Sequence, residues 1–396
     1  MEQTKKPLPG AVLLLAALGF VLGTCEFVIV GILPEIAEGL NTSLAAVGKL
    51  VSVFAACYAV GTPVITAATG GISRRKLLAV LMGVFLLTSA ASFAAPNVAV
   101  LYATRVVAAL VSGTLTAVAM LYAKEVAAPE QTARAISLVY GGFSVAAVLG
   151  VPLGTAVCQI LGWRWTFAVI LAMGAALLPL LLRSLPAVPA QADSGLLKSF
   201  SILWDPRCSL CVGMILCSAS ATYIVYTYLS PILTETLGLP AGAVSPLLLV
   251  MGACSASNLL SGRLGERGGL RTLPMAFAAQ AVLFALLPLL LGNRWAGLAG
   301  VFAMGLLMYL LNTPAQMHAL SLAEQDYPFA SSLCASVQPV SYNFGIAIGS
   351  FIGSAVQEGW GFRPLGLPAA MFALAALGLN LLLLRANGRR TAAAAS

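Results

Sequence analysis

The chain has 396 residues, of which 60% are hydrophobic and 9% charged, and its formal net charge is +8. A soluble globular chain carries roughly a quarter charged residues, so a water-soluble fold is excluded and the bilayer becomes the solvent. The basic excess does not mark a nucleic-acid surface, because it is scattered over short segments between long apolar runs.

A spanning helix needs about 20 predominantly apolar residues, and the sequence supplies that pattern twelve times. The predicted spans are 11–34, 47–69, 77–95, 99–122, 135–160 and 164–183, followed by 208–230, 243–262, 272–291, 295–317, 330–356 and 365–385. The runs are continuous, unlike the short alternating segments of a membrane β-barrel, and a helix satisfies its own backbone in lipid. The expected fold class is all-α integral membrane, with twelve transmembrane helices in two six-helix bundles. Residues 1–183 form the N-terminal bundle, 184–206 a cytoplasmic linker containing SLPAVPAQADSGLLKS, and 207–396 the C-terminal bundle.

With the N-terminus inside, the cytoplasmic segments hold sixteen of the twenty-one Lys and Arg residues. Lys49, Arg164, Arg294 and Arg363 fall outside, and Arg105 lies within span 4. This positive-inside bias places both termini in the cytoplasm of a bacterial inner membrane. The first apolar run is about 24 residues long with no small-residue cleavage site after it, so no cleavable signal peptide is expected.

Span 1 contains GTCEFVIVGILPEIA (23–37), with Glu26 inside an apolar run. Glu26 and Arg105 are the ionisable residues set well inside the predicted spans. At about 1.5 Å per helical residue, they lie roughly 12 Å and 10 Å from the outer boundary. Charge at such depth is expensive and is a functional hypothesis by default. Desolvation and a nearby cation pull the proton affinity of Glu26 in opposite directions, so that affinity depends on conformation. Proton coupling through Glu26 and Arg105 is the leading reading; a static ion pair and a partner for substrate charge are its rivals.

The two halves echo each other. Pro34 and Glu38 match Pro231 and Glu235 at a spacing of 197, GGISRRK (70–76) aligns with ERGGLRT (266–272), and GVPLGTAVCQILGWR (150–164) aligns with GSFIGSAVQEGWGFR (349–363). Duplicated six-helix units with a substrate path at mid-membrane are a recurring transporter plan.

On these residues the chain resembles the major facilitator superfamily, over essentially its whole length. CEFVIVGILPEIA, RVVAALVSGTLTAVAM around Arg105, and GVPLGT followed by GWRWTF are similar to the drug/proton antiporter branch, especially its sugar, purine-nucleoside and phenicol exporters. The resemblance implies alternating access, a proton gradient as the energy source, and conformational motifs at Arg74, Arg75, Lys76, Gly150, Pro152, Gly154, Glu266 and Arg267. Two departures stand out. Gly70 and Gly71 replace the usual acidic–Arg pair between spans 2 and 3, and Val151 precedes Pro152 where glycine is usual.

Candidate cavity residues are Tyr58, Tyr140, Tyr223, Tyr226, Asn258, Tyr309, Asn312, Gln338, Tyr342 and Asn343, uncharged hydrogen-bonding groups mixed with aromatics. They suit a neutral polar ligand or a planar drug. Tyr228 fits an interfacial aromatic belt better. Mid-span Pro63, Pro152, Pro246, Pro314 and Pro339 are candidate helix breakers. Gly150 and Gly154, mirrored by Gly349 and Gly353, mark close helix contacts at four-residue spacing.

Enzyme readings fare poorly. Asp193, Asp205 and Asp326 are placed in loops, the lone His318 is placed at a surface-facing helix end, and no Walker-type loop occurs. Cys208-x-x-Cys211 opens a membrane helix without a second pair and reads as small apolar packing. No metal, no cofactor and no nucleic acid are expected. The expected partners are a small-molecule substrate, protons and the bilayer, and the expected state is a monomer. The leading function is a proton-coupled exporter of a small organic molecule such as a sugar, nucleoside or drug. The alternatives are a proton-coupled importer and a non-transporting membrane sensor or scaffold.

Overall fold

Backbone polar groups inside hydrocarbon must find partners within the chain, and the computed structural model meets that demand with helices. It describes residues 10–69, 72–128, 132–186, 200–253, 257, 260–261, 264, 268–327 and 331–395, and no strand occurs among them. Ten helical segments among the described residues are long and apolar enough to cross a bilayer. The shorter Ala241–Ala253 and the serine- and glycine-rich Ser331–Trp360 complete twelve passes in the expected order. Asn97, Asp205 and Asn293 begin spans 4, 7 and 10, each side chain accepting from first-turn N–H groups as an N-cap does.

Packing groups Met1–Leu40 with Val60–Ala192, and Asn41–Ala59 with Asp193–Ser396. In the first unit, span 1 (Gly10–Phe27) lies along span 5, and span 3 (Arg74–Phe93) packs against span 4 (Val98–Val126) and span 6 (Trp163–Ser184). In the second, span 7 (Pro206–Tyr226) lies along span 11 and span 12 (Gly366–Ala395). The first half of span 2 (Leu44–Ala68) belongs to this second unit. There the Ser52 hydroxyl donates to the Ala347 carbonyl, that of Ser354 donates to the Ala45 carbonyl at 3.1 Å, and Lys49 pairs with Glu358 at 3.6 Å.

Small residues allow the close approaches. A Cβ on Gly349 or Gly353 would stand 2.5 Å from the Ser220 carbonyl oxygen or 2.6 Å from that of Ile224, both on span 7. A Cβ on Gly150 would run into the Thr24 hydroxyl of span 1, and one on Gly154 into Val28. The mirrored turns after spans 5 and 11 use Gly162 (φ 95°) and Gly361 (φ 79°), left-handed positions that a side chain would strain.

Among the described residues, spans 1, 5 and 10 are interrupted where single runs were expected, and span 7 breaks after Tyr226. Span 1 stops at Phe27 and passes through a 3-10 turn, Val28–Gly31; Pro34 then opens a separate short helix, Leu33–Gly39. Span 5 (Thr132–Val145 and Val151–Leu161) contains a π-turn at Ala146–Gly150 immediately before Pro152, whose missing N–H disturbs the ladder. Span 10 is Arg294–Met308 followed by Asn312–Asp326, so it runs past its predicted end at residue 317. His318 therefore sits within a helix, half-buried, with Nε2 enclosed and no hydrogen-bond partner to it, rather than at a surface-facing end. Asp326 is likewise helical. Tyr228 is fully buried beside Phe362 (centroids 6.0 Å apart) rather than in an interfacial belt. Gly70 and Gly71, residues 187–199 of the linker, and Asn258, Glu266 and Arg267 lie outside the described residues.

Candidate functional site

An α-helix leaves its last carbonyls without helical donors. Span 1 ends one residue after Glu26, and the groups left there meet Arg105 of span 4. Arg105 is 1% exposed and is among the largest fully buried side chains. Nη1 donates to the Cys25 carbonyl at 2.8 Å and approaches Cys25 Sγ at 3.2 Å, while Nη2 lies 3.5 Å from the Glu26 carbonyl oxygen. Arg105 thus acts as a C-cap across the bundle, placing a cation where the helix dipole is negative. Arg105 reaches Glu26 at its main-chain carbonyl. The Glu26 side chain itself is half-buried. Beside it, Thr24 bonds back to the Phe20 carbonyl (2.8 Å) and faces Gly150 of the π-turn. Tyr140, one to two turns before that π-turn, is 41% exposed.

The second unit gathers a different set. Tyr223 lies edge-on to Tyr226 (centroids 5.3 Å) and to Tyr342 (6.0 Å). Gln338 Nε2 donates to Asn312 Oδ1 at 3.1 Å, joining span 11 to the second half of span 10. Asn343 Nδ2 donates to the Pro339 carbonyl at 3.2 Å, and its buried Oδ1 accepts no hydrogen bond. Tyr58, from the part of span 2 that belongs to this unit, is buried, and Tyr309 stands at the interruption of span 10.

Charged residues at helix ends form further links. Arg74 Nη1 is 4.0 Å from Glu125 Oε2 at the end of span 4, and Arg75 donates to the Leu182 carbonyl of span 6; Lys76 is exposed. In the second unit Arg207 grips Asp205 through Nε (3.1 Å) and Nη2 (2.7 Å), and Nη2 also reaches Asp326 Oδ2 at 2.9 Å. The Tyr327 hydroxyl adds a bond to Asp205 Oδ2 at 3.1 Å. Burial pushes the Asp205 carboxyl up, but the hydrogen bonds and charge of Arg207 outweigh it and hold the group below its ordinary range. Sequence reasoning missed this cluster. Asp205, Arg207 and Asp326 are far apart in the chain or read singly as ordinary charges near helix ends, so no local pattern joins them.

Comparison with known proteins agrees with this architecture. The Major Facilitator Superfamily pattern matches residues 15–338. The chain belongs to the Major Facilitator Superfamily. Among superfamily relatives, it is 32% identical to the MFS-type transporter YtbD of Bacillus subtilis (strain 168) over 356 residues, 89% of either chain. It is 30% identical to the inner membrane transport protein YdhP of Escherichia coli (strain K12) over 381 residues, 96% of either chain. Solved structures share the superfamily fold at low identity. A bacterial homolog of the human lysosomal transporter Spinster, inward-facing and unoccupied, has a TM-score of 0.75 at 14% identity, covering 95% of this chain and 97% of that one. The nucleoside transporter NupG has a TM-score of 0.72 at 14% identity, covering 95% and 98%. The protein is a multi-pass membrane transporter of a small solute, and its relatives are transporters rather than enzymes.

Proposed function

We propose that the protein is a proton-coupled antiporter that exports a small, uncharged organic molecule across a bacterial inner membrane by alternating access, with both termini cytoplasmic. Sugars, nucleosides and planar drugs are the cargo classes in view. The observation that carries this reading is Arg105, a cation buried in the bilayer-spanning part of the first unit and bonded to the peptide that bears Glu26. A buried charge of this kind is costly to retain without a task. Glu26 would carry the proton, and any movement of span 1 relative to Arg105 would alter its hold on it. The uncharged second-unit cluster of Tyr223, Tyr226, Tyr342, Asn312 and Gln338 supports a neutral cargo, because each of its side chains donates or accepts hydrogen bonds without carrying charge. The gradient is the proposed energy source, with no cofactor, and a monomer is the proposed working unit.

The test uses everted membrane vesicles that are acidified inside by respiration. Arabinose, inosine, chloramphenicol and ethidium are added in turn while interior pH is followed with acridine orange. Export predicts that at least one compound discharges the gradient and accumulates inside. Discharge by none of them, or accumulation only in right-side-out vesicles with an inward proton gradient, contradicts the reading; the second result makes the protein an importer.

A further inference from the structure

Span 10 breaks at a proline, and the break is repaired from another helix. Pro314 has no N–H, so the Leu310 carbonyl four residues earlier loses its helical donor. The Asn312 N–H turns back to the Tyr309 carbonyl at 3.2 Å, which displaces the Thr313 N–H from the acceptor it would have in an α-helix. Two main-chain groups are thereby left over, a buried acceptor and a partly buried donor. Ser261 of span 8 takes both. Its hydroxyl donates to the Leu310 carbonyl at 3.0 Å and accepts from the Thr313 N–H at 2.9 Å. Its side chain is fully buried.

The remaining first-turn donors of Asn312–Asp326 are also used. Ala315 N–H bonds to the Leu311 carbonyl at 3.0 Å. This half-helix therefore offers no spare main-chain donors to an anion. What the break presents instead is the Asn312 side chain, oriented by Gln338.

We infer that Ser261 is a positioning residue for cargo recognition: it caps the interruption of span 10 in trans and so fixes Asn312. The inference rests on the proposal that the Asn312–Gln338 cluster faces the cargo. Serine suits the task because one small hydroxyl can donate and accept at once. Alanine at this position would remove the bond from both main-chain groups, the Leu310 carbonyl in a buried place and the Thr313 N–H in a partly buried one.

The experiment compares wild type, Ser261→Ala and Ser261→Thr. Hydrogen exchange by mass spectrometry on the purified full chain reads the cap directly. Ser261→Ala should raise exchange over residues 309–316 about tenfold while the other spans keep wild-type protection, and Ser261→Thr should restore it. Uptake of tritiated inosine into proteoliposomes reads the function. The alanine variant should raise the half-saturating concentration about tenfold with a maximal rate within about twofold, threonine should rescue it, and in an Asn312→Ala background the alanine change should add less than about twofold. Unchanged exchange over 309–316 overturns the cap. An undiminished effect in the Asn312→Ala background overturns the route through Asn312. A wild-type protein that carries no inosine defeats the choice of cargo by itself, and exchange still decides the cap.

Discussion

At positions that the internal repeat equates, the two units carry different chemistry. Glu26 of span 1 and Tyr223 of span 7 are 197 residues apart, the spacing that also relates Pro34 to Pro231 and Glu38 to Glu235. Around Glu26 the first unit buries a guanidinium, whereas around Tyr223 the second unit stacks phenol rings and pairs amides. The break in span 1 is capped by Arg105 and the break in span 10 by Ser261, a charged repair in one unit and a neutral repair in the other. On the proposed reading the duplicated scaffold is divided within the membrane, with the coupling pair Glu26 and Arg105 in one copy and an uncharged cargo site in the other.

The sharpest way to break the comparison is Arg105→Lys. An ammonium keeps the charge but cannot fork to two successive carbonyls, so it leaves acceptors unbonded in a buried site. Gradient-driven transport in proteoliposomes should fall at least about a hundredfold, and near-wild-type rates would show that charge alone suffices. Next comes Arg207→Ala, which strands Asp205 and Asp326 in a site where Arg207 is 9% exposed. A loss of roughly 3 kcal/mol, read as a lower unfolding temperature of the purified protein, is expected from removing one partner of a largely buried ion pair. Because the Asp205 carboxyl is held below its ordinary range, its contribution is fully present at neutral pH. It is lost only as pH falls below about 4 and passes through the folded-state value. The Arg207→Ala deficit should therefore be constant from pH 6 to 8 and shrink in acid.

Gly353→Ala should cost about 2 kcal/mol, because the added Cβ must displace main chain at Ile224 rather than a flexible side chain. Gly359→Ala, with open space around it, supplies the control. The smallest effect belongs to the second unit's aromatic and amide cluster, the proposed cargo site. Tyr223→Ala removes two edge-to-face contacts, each worth about 0.5–1.5 kcal/mol. The half-saturating cargo concentration should rise about tenfold while proton coupling per cargo stays the same. A change in coupling instead would erase the division of labour between the units.

Much of this organisation is legible in the order of residues alone. The bilayer forces helices, and helices long enough to cross it leave apolar runs that cannot be hidden, so the spans and their repeat stand out. Glu26 and Arg105 are legible for the complementary reason, since charge in such runs is rare. The interruptions are not. Pro63, Pro246 and Pro339 sit inside continuous helices, whereas Pro314 lies beside a break. The difference at Pro314 depends on a serine 53 residues earlier in the chain, a relation that no local pattern encodes. Arg207 and Asp326 escape for a similar reason, being 119 residues apart and each resembling an ordinary charge at a helix end.

The central claim is that the Glu26 carboxyl carries the coupling proton, and Glu26→Gln tests it most directly. In proteoliposomes loaded with unlabelled inosine and held without a pH difference, the variant should still exchange tritiated inosine across the membrane. When an outwardly or inwardly directed proton gradient is imposed, it should accumulate none above equilibrium, while the wild type concentrates it severalfold. Concentration by Glu26→Gln to the wild-type level would contradict the account and move the proton to another group.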